Sequence, residues 1–110
     1  MWSLSAAAAA AALALMGGSI TLPVHGATVR GDETFAGTAT ARSGGTGTIA
    51  LSSSHGLRCR GTFAYAIGRG GTGTFRCSNG QGGPFAFVST GTHGKGSGTV
   101  GRRKFRFTFG

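Results

Sequence analysis

Cys59-Arg-Gly61-Thr-Phe63-Ala-Tyr65-Ala-Ile67-Gly68-Arg69-Gly70-Gly71-Thr-Gly73-Thr-Phe75-Arg-Cys77 folds back on itself when read as a hairpin. With the turn at Gly68-Arg69-Gly70, residues equidistant from Gly68 face each other. Cys59 then lies opposite Cys77, close enough for a disulfide between cross-strand neighbours. The same register sets Phe63 opposite Gly73, Tyr65 opposite Gly71 and Phe75 opposite Gly61. Each ring is expected to cover a facing glycine, the aromatic rescue of bare backbone in sheets. Successive side chains of a strand point to opposite faces. One face therefore carries Cys59, Gly61, Phe63, Tyr65, Ile67, Phe75 and Cys77. The other carries Arg58, Arg60, Thr62, Ala64, Thr72, Thr74 and Arg76.

The pattern extends in both directions. Gly45-Thr-Gly47-Thr-Ile49, Gly71-Thr-Gly73-Thr-Phe75 and Gly96-Ser-Gly98-Thr-Val100 recur at offsets of 26 and 25 residues. A fixed period of this size marks one supersecondary unit used repeatedly. Phe105, Phe107 and Phe109 alternate with Lys104, Arg106 and Thr108, and Phe85 and Phe87 sit on the same face one hairpin earlier. From Asp32 onward the frequent glycines break every candidate helix. Alternating runs predict short strands at roughly 33–41, 45–52, 57–67, 71–78, 83–90, 95–101 and 104–109, separated by glycine turns. The expected fold is all-β: an up-and-down antiparallel meander of about seven strands, either an open sheet or a small, partly closed barrel.

The N-terminal region reads differently. Residues 6–16 are an unbroken, alanine-rich apolar run, too short and weakly hydrophobic for a membrane span. They fit the apolar region of a signal peptide, expected to be helical. Val24 and Gly26 stand at the −3 and −1 positions of a cut before Ala27. The expected organisation is a leader over 1–26 and a glycine-rich β domain over 27–110, periplasmic or secreted. An inner-membrane anchor is the alternative. The absence of Lys and Arg from residues 2–5 departs from the usual leader. A domain this short buries little apolar surface. In an oxidising compartment the cysteine pair reads as a disulfide staple, contributing about 3 kcal/mol by loop closure.

Spacing and composition are similar to the MORN repeat, whose pattern runs aromatic-x-Gly, a turn, then Gly-x-Gly-x-aromatic and Asn/Asp-Gly. Phe35-Ala-Gly37, Gly45-Thr-Gly47-Thr-Ile49-Ala-Leu51, His55-Gly56, Cys59-Arg-Gly61-Thr-Phe63 and Gly71-Thr-Gly73-Thr-Phe75-Arg-Cys77-Ser-Asn79-Gly80 carry the resemblance, and Gly83-Pro-Phe85 begins a degenerate unit. It covers about residues 33–100. Cysteines replace aromatics, and the units are longer. The segment from Gly71 to Gly110 also resembles small exported proteobacterial proteins with a Cys-Ser-x-Gly-x-x-Gly-Pro-Phe-x-Phe stretch. MORN-like modules are associated with lipid and protein binding, so the resemblance implies a binding role.

Eleven Lys and Arg face only Asp32 and Glu33, a net charge of +9. Such a surface favours anionic partners. The expected anion-binding residues are Arg58, Arg60, Arg76, Arg102, Arg103 and Arg106, meeting acidic lipid, lipopolysaccharide or a cell-wall polymer. A protein partner is the alternative. Nucleic acid is disfavoured: in Arg102-Arg103-Lys104-Phe105-Arg106-Phe107, rings and cations alternate between faces instead of converging as stacking requires.

Chemistry is sparse. Asp32 and Glu33 are adjacent and point to opposite faces of a strand, which excludes a paired-carboxylate site. His55 and His93 sit beside glycines in predicted turns and lack metal-ligand spacing. The glycines at 68, 70, 71 and 73 lack the Lys-Ser/Thr and the helix of a phosphate loop. No catalytic residue, metal or cofactor is expected. Two other readings compete with surface binding. One is a self-associating structural protein, because an open sheet exposes its aromatic face. The other is a cationic, glycine-rich antimicrobial polypeptide.

Overall fold

The computed structural model describes residues 18–66 and 68–110. Eight strands follow in order: β1 (Ser19–Thr28), β2 (Thr34–Arg42), β3 (Thr46–Ser53), β4 (Arg58–Ala66), β5 (Gly70–Cys77), β6 (Gly82–Thr90), β7 (His93–Val100) and β8 (Arg103–Phe109). Each pairs antiparallel with the next, and β8 returns to β1, so the sheet closes into a barrel. Closure removes both sheet edges. Each hairpin turn contains a glycine with positive φ, for example Gly68 at 78° and Gly91 at 68°. L-residues with a side chain rarely adopt this backbone, so the turn glycines set where the meander reverses.

The expected meander is present with one strand more. Residues 19–26, placed in the leader by the sequence reading, form most of β1. Ile20, Leu22 and Val24 alternate with Thr21, Pro23 and His25, the period of a strand with one buried face. Val24 is 1% exposed and lies opposite Gly37 of β2 and Phe109 of β8. The first part of the expected leader, with its helical apolar run at residues 6–16, and Ile67 lie outside the described residues.

The central hairpin has the predicted register. Cys59 faces Cys77 and is bonded to it, while Gly61, Phe63 and Tyr65 face Phe75, Gly73 and Gly71. The ring placement differs in detail. A Cβ at Gly73 would lie 2.6 Å from the tip of Phe85, a β6 residue, and only the root of Phe63 is close. Phe63 instead reaches back over Gly47 of β3, where a Cβ would meet the ring tip closer still. Phe107 and Phe109 likewise cover Gly96 and Gly94 of β7.

The reason is closure. The interior of an eight-stranded barrel is just wide enough for side chains to fill it. Strands β4, β6 and β8 project rings, while β5, at Gly71 and Gly73, and β7 project glycines at the matching levels; Phe75 is the inward ring of β5. Gly96 sits between Phe87 and Phe107, and Gly98 between Phe85 and Phe105. The rings meet mostly edge to face, as between Phe75 and Phe85 at 4.9 Å and Phe75 and Phe105 at 5.2 Å.

The aromatic face thus lines the interior. The exposed aromatic sheet on which the self-association reading rested is absent. The large exposed hydrophobics among the described residues are Val29 and Val88.

Candidate functional site

The two barrel ends differ. The end bearing the β1–β2, β3–β4, β5–β6 and β7–β8 turns is plugged. Glu33 precedes Phe35 by two residues, and Arg103 precedes Phe105 by two, so both share the inward phase of those rings. Glu33 is 2% exposed and forms an ion pair with the 39%-exposed Arg103. A hydrogen bond from Ser53 is the main cause holding the Glu33 carboxyl below its ordinary value. Hydrogen bonding and charge from Arg103 assist, against the opposing effect of burial. The exposed His55 places Nδ1 3.8 Å from the same carboxylate. Asp32 accepts a 2.6 Å hydrogen bond from the Thr28 hydroxyl, which is the main cause lowering its pKa, with Arg103 and Arg30 assisting. Beneath this polar plug lie the Cys59–Cys77 bond and the buried rings of Phe35, Phe75 and Phe105.

The six predicted anion-binding residues separate into three groups. Arg58 and Arg60 on β4 and Arg76 on β5 are exposed on the outer face, and Arg60 lies directly opposite Arg76. Arg60 and Arg76 line a shallow depression with Thr62, Thr74 and Pro84. Arg102 and Arg106 are also exposed, but they belong to the β7–β8 turn and β8, on another side of the barrel. Arg103 faces inward and is neutralised by Glu33, so it leaves the expected basic face. The signal for Arg103 was available in the sequence: it is in phase with Phe105, Phe107 and Phe109. His93 is exposed at the start of β7.

The opposite end is open and was not anticipated. An apolar cavity of about 90 Å³ enters there between β1, β2, β3, β4, β6 and β8. Its walls include Leu22, Ala39, Phe63, Phe87, Phe107 and Phe109. At the mouth, the Tyr65 hydroxyl donates to the Arg42 carbonyl, and burial raises the Tyr65 pKa. Alternation alone cannot reveal this void. Small residues, Ala39 and Ala41 on β2, occupy inward positions in its wall, while the rings lean over the glycines of β5 and β7 instead of filling it.

No protein-family model and no curated protein matches the sequence. Among solved structures, the chain is similar to a barrel from the de novo design of a fluorescence-activating β-barrel. The TM-score is 0.64 at 16% identity, over 88% of this chain and 95% of the designed one. At that identity the likeness concerns the fold, an all-β barrel closed on itself.

Proposed function

We propose that this protein is a small, exported, non-catalytic binding barrel whose β4–β5 face adheres to an anionic, phosphate-bearing surface of the cell envelope. One observation carries the reading. Arg60 and Arg76 lie directly opposite each other with Arg58 nearby, and both side-chain carboxylates of the protein are at the β1–β2 connection. Like charges directly opposite on a sheet destabilise it. A bound anion relieves that repulsion, and arginine suits phosphate through paired N–H donors. The disulfide fits an oxidising compartment, and the apolar N-terminal run supplies an export signal. The resemblance to a repeat associated with lipid binding points the same way.

The test is co-sedimentation of the full chain with anionic and neutral vesicles at low and high salt. Each basic residue near an anionic surface contributes about 1 kcal/mol. The Arg60→Glu/Arg76→Glu double variant is therefore expected to bind at least about tenfold more weakly, with a flatter salt dependence. Arg102→Glu/Arg106→Glu is expected to retain most binding. Equal binding by both double variants and the parent contradicts the assignment. Dye leakage at low protein-to-lipid ratios favours the antimicrobial reading instead.

A further inference from the structure

We infer that the open end of the barrel is a binding site for a single-chain anionic amphiphile. The tail of an unbranched fatty carboxylate enters the cavity, and its head group remains at the mouth. This goes beyond the surface-binding reading and uses different residues.

The walls set the chemistry of the tail. Leu22, Ala39, Phe63, Phe87, Phe107 and Phe109 present hydrocarbon, and the polar lining groups, Ser89 and Thr92, lie toward the rim. The Tyr65 hydroxyl is already engaged by the Arg42 carbonyl. A guest therefore finds polar partners at the entrance and apolar walls along the depth. Buried apolar sites of this kind stay dry or take an apolar occupant.

The volume sets how much of the tail is enclosed. A water needs roughly 10–15 Å³ of such space, whereas an apolar cavity that takes benzene is nearer 150 Å³. At about 90 Å³ the cavity is large for water and tight for a ring. It encloses the end of a polymethylene chain, and the rest of the tail lies against the apolar wall of the open mouth. The lining runs from Ser89 at the rim to Phe85 at mid-barrel. Four residues of a tilted strand cover on the order of 10 Å, the reach of a medium-length chain.

The rim sets the charge of the head group. Arg42 ends β2 and Arg69 lies in the β4–β5 turn, both exposed at this end. Asp32 and Glu33 sit at the far end of the barrel, where Thr28 and Arg103 engage them. No Asp or Glu side chain competes for Arg42 and Arg69. A neutral amphiphile leaves this charge unused, and a cationic one meets repulsion.

The test is a titration of the full chain with decanoate below its micellar concentration, followed by methyl NMR. Decanol and decyltrimethylammonium serve as head-group controls. Saturable shifts are expected at Ile20, Leu22 and Ile49, with little change at Leu51 and Leu57 near the plugged end. Exposed ion pairs each contribute modestly, so Arg42→Ala/Arg69→Ala is expected to weaken decanoate roughly 2- to 30-fold and leave decanol unchanged. Ala39→Leu, which fills the cavity, is expected to abolish binding of both. The two arginine substitutions are at exposed positions and keep the test informative even if the filled variant misfolds. Arg60→Glu/Arg76→Glu is expected to leave decanoate binding intact, which separates this site from the outer face. Absence of saturable shifts, equal shifts at both ends, or equal affinity for decanoate and decanol overturns the proposal.

Discussion

A chain beginning at Ala27 is expected to lose the barrel. That start removes Ser19 through Gly26, most of β1. Val24, 1% exposed, goes with it, and full burial of such a side chain contributes about 1.5–3 kcal/mol. Most of both ladders goes too: Ser19–Gly26 pair with β2, and Val24–Gly26 pair with β8. Backbone hydrogen bonds contribute about 0.5–1.5 kcal/mol each, net. Several lost together match the whole stability of a typical domain, about 5–15 kcal/mol. The truncated chain also exposes Phe107 and two unpaired edges, β2 and β8, which invite aggregation. The assay is thermal unfolding by circular dichroism, with gel filtration, of the full chain and the chain from Ala27. A truncated chain that stays monomeric with an unchanged midpoint refutes this account of β1. A linked expectation concerns processing: if the leader is removed, the mature N-terminus lies upstream of Ser19, as intact mass of exported protein will show.

Three further outcomes are expected. Replacing both cysteines by alanine releases a loop with a sequence separation of 18, a loss of about 3 kcal/mol. The midpoint should fall by about 12–24 °C, and an unchanged midpoint contradicts the staple. The carboxyl of Glu33 is held below its ordinary value in the fold. Its contribution is therefore complete above about pH 5 and is lost as pH falls through the lowered folded value. Urea midpoints should drop across that acid window in the parent and much less in Glu33→Gln, which itself costs about 1–3 kcal/mol; parallel profiles contradict the plug. Finally, a Cβ at Gly96 would collide with both the Ala86 carbonyl oxygen and the Phe107 ring, whereas one at Gly44 meets nothing within 4 Å. Gly96→Ala should cost about 1–3 kcal/mol and Gly44→Ala less than about 0.5 kcal/mol, measured by urea unfolding.

Much of the barrel was legible because strand alternation and turn glycines are local signals. The 59–77 hairpin defines its own register, since two cysteines and three aromatic–glycine pairs agree on a single alignment. β1 was hidden by context: Ile20-Thr-Leu22-Pro-Val24-His alternates, but it follows an apolar run that reads as a leader, and Val24-His-Gly26 imitates a processing site. The partner of each ring was not readable, because a phenyl group can lean to either neighbouring strand. Only closure decides that Phe85 takes the space at Gly73. Among the charged residues, composition indicated a basic exterior, and the phase of Arg103 relative to Phe105 separated it from that surface. The open cavity lies among inward residues of β1, β2, β3, β4, β6 and β8, a property of the closed barrel and of no single segment.

The cavity proposal rests on closure, since an open sheet has no interior. The direct measurement is a proton contact map of the full chain across β1 and β8. Gly26 lies opposite Phe107, and His25 opposite Thr108. Cross-strand contacts at these pairs, as strong as those between Gly96 and Phe107 on the β7–β8 side, are the expected result. Strong β7–β8 contacts with none between β1 and β8 would show an open sheet and contradict the account.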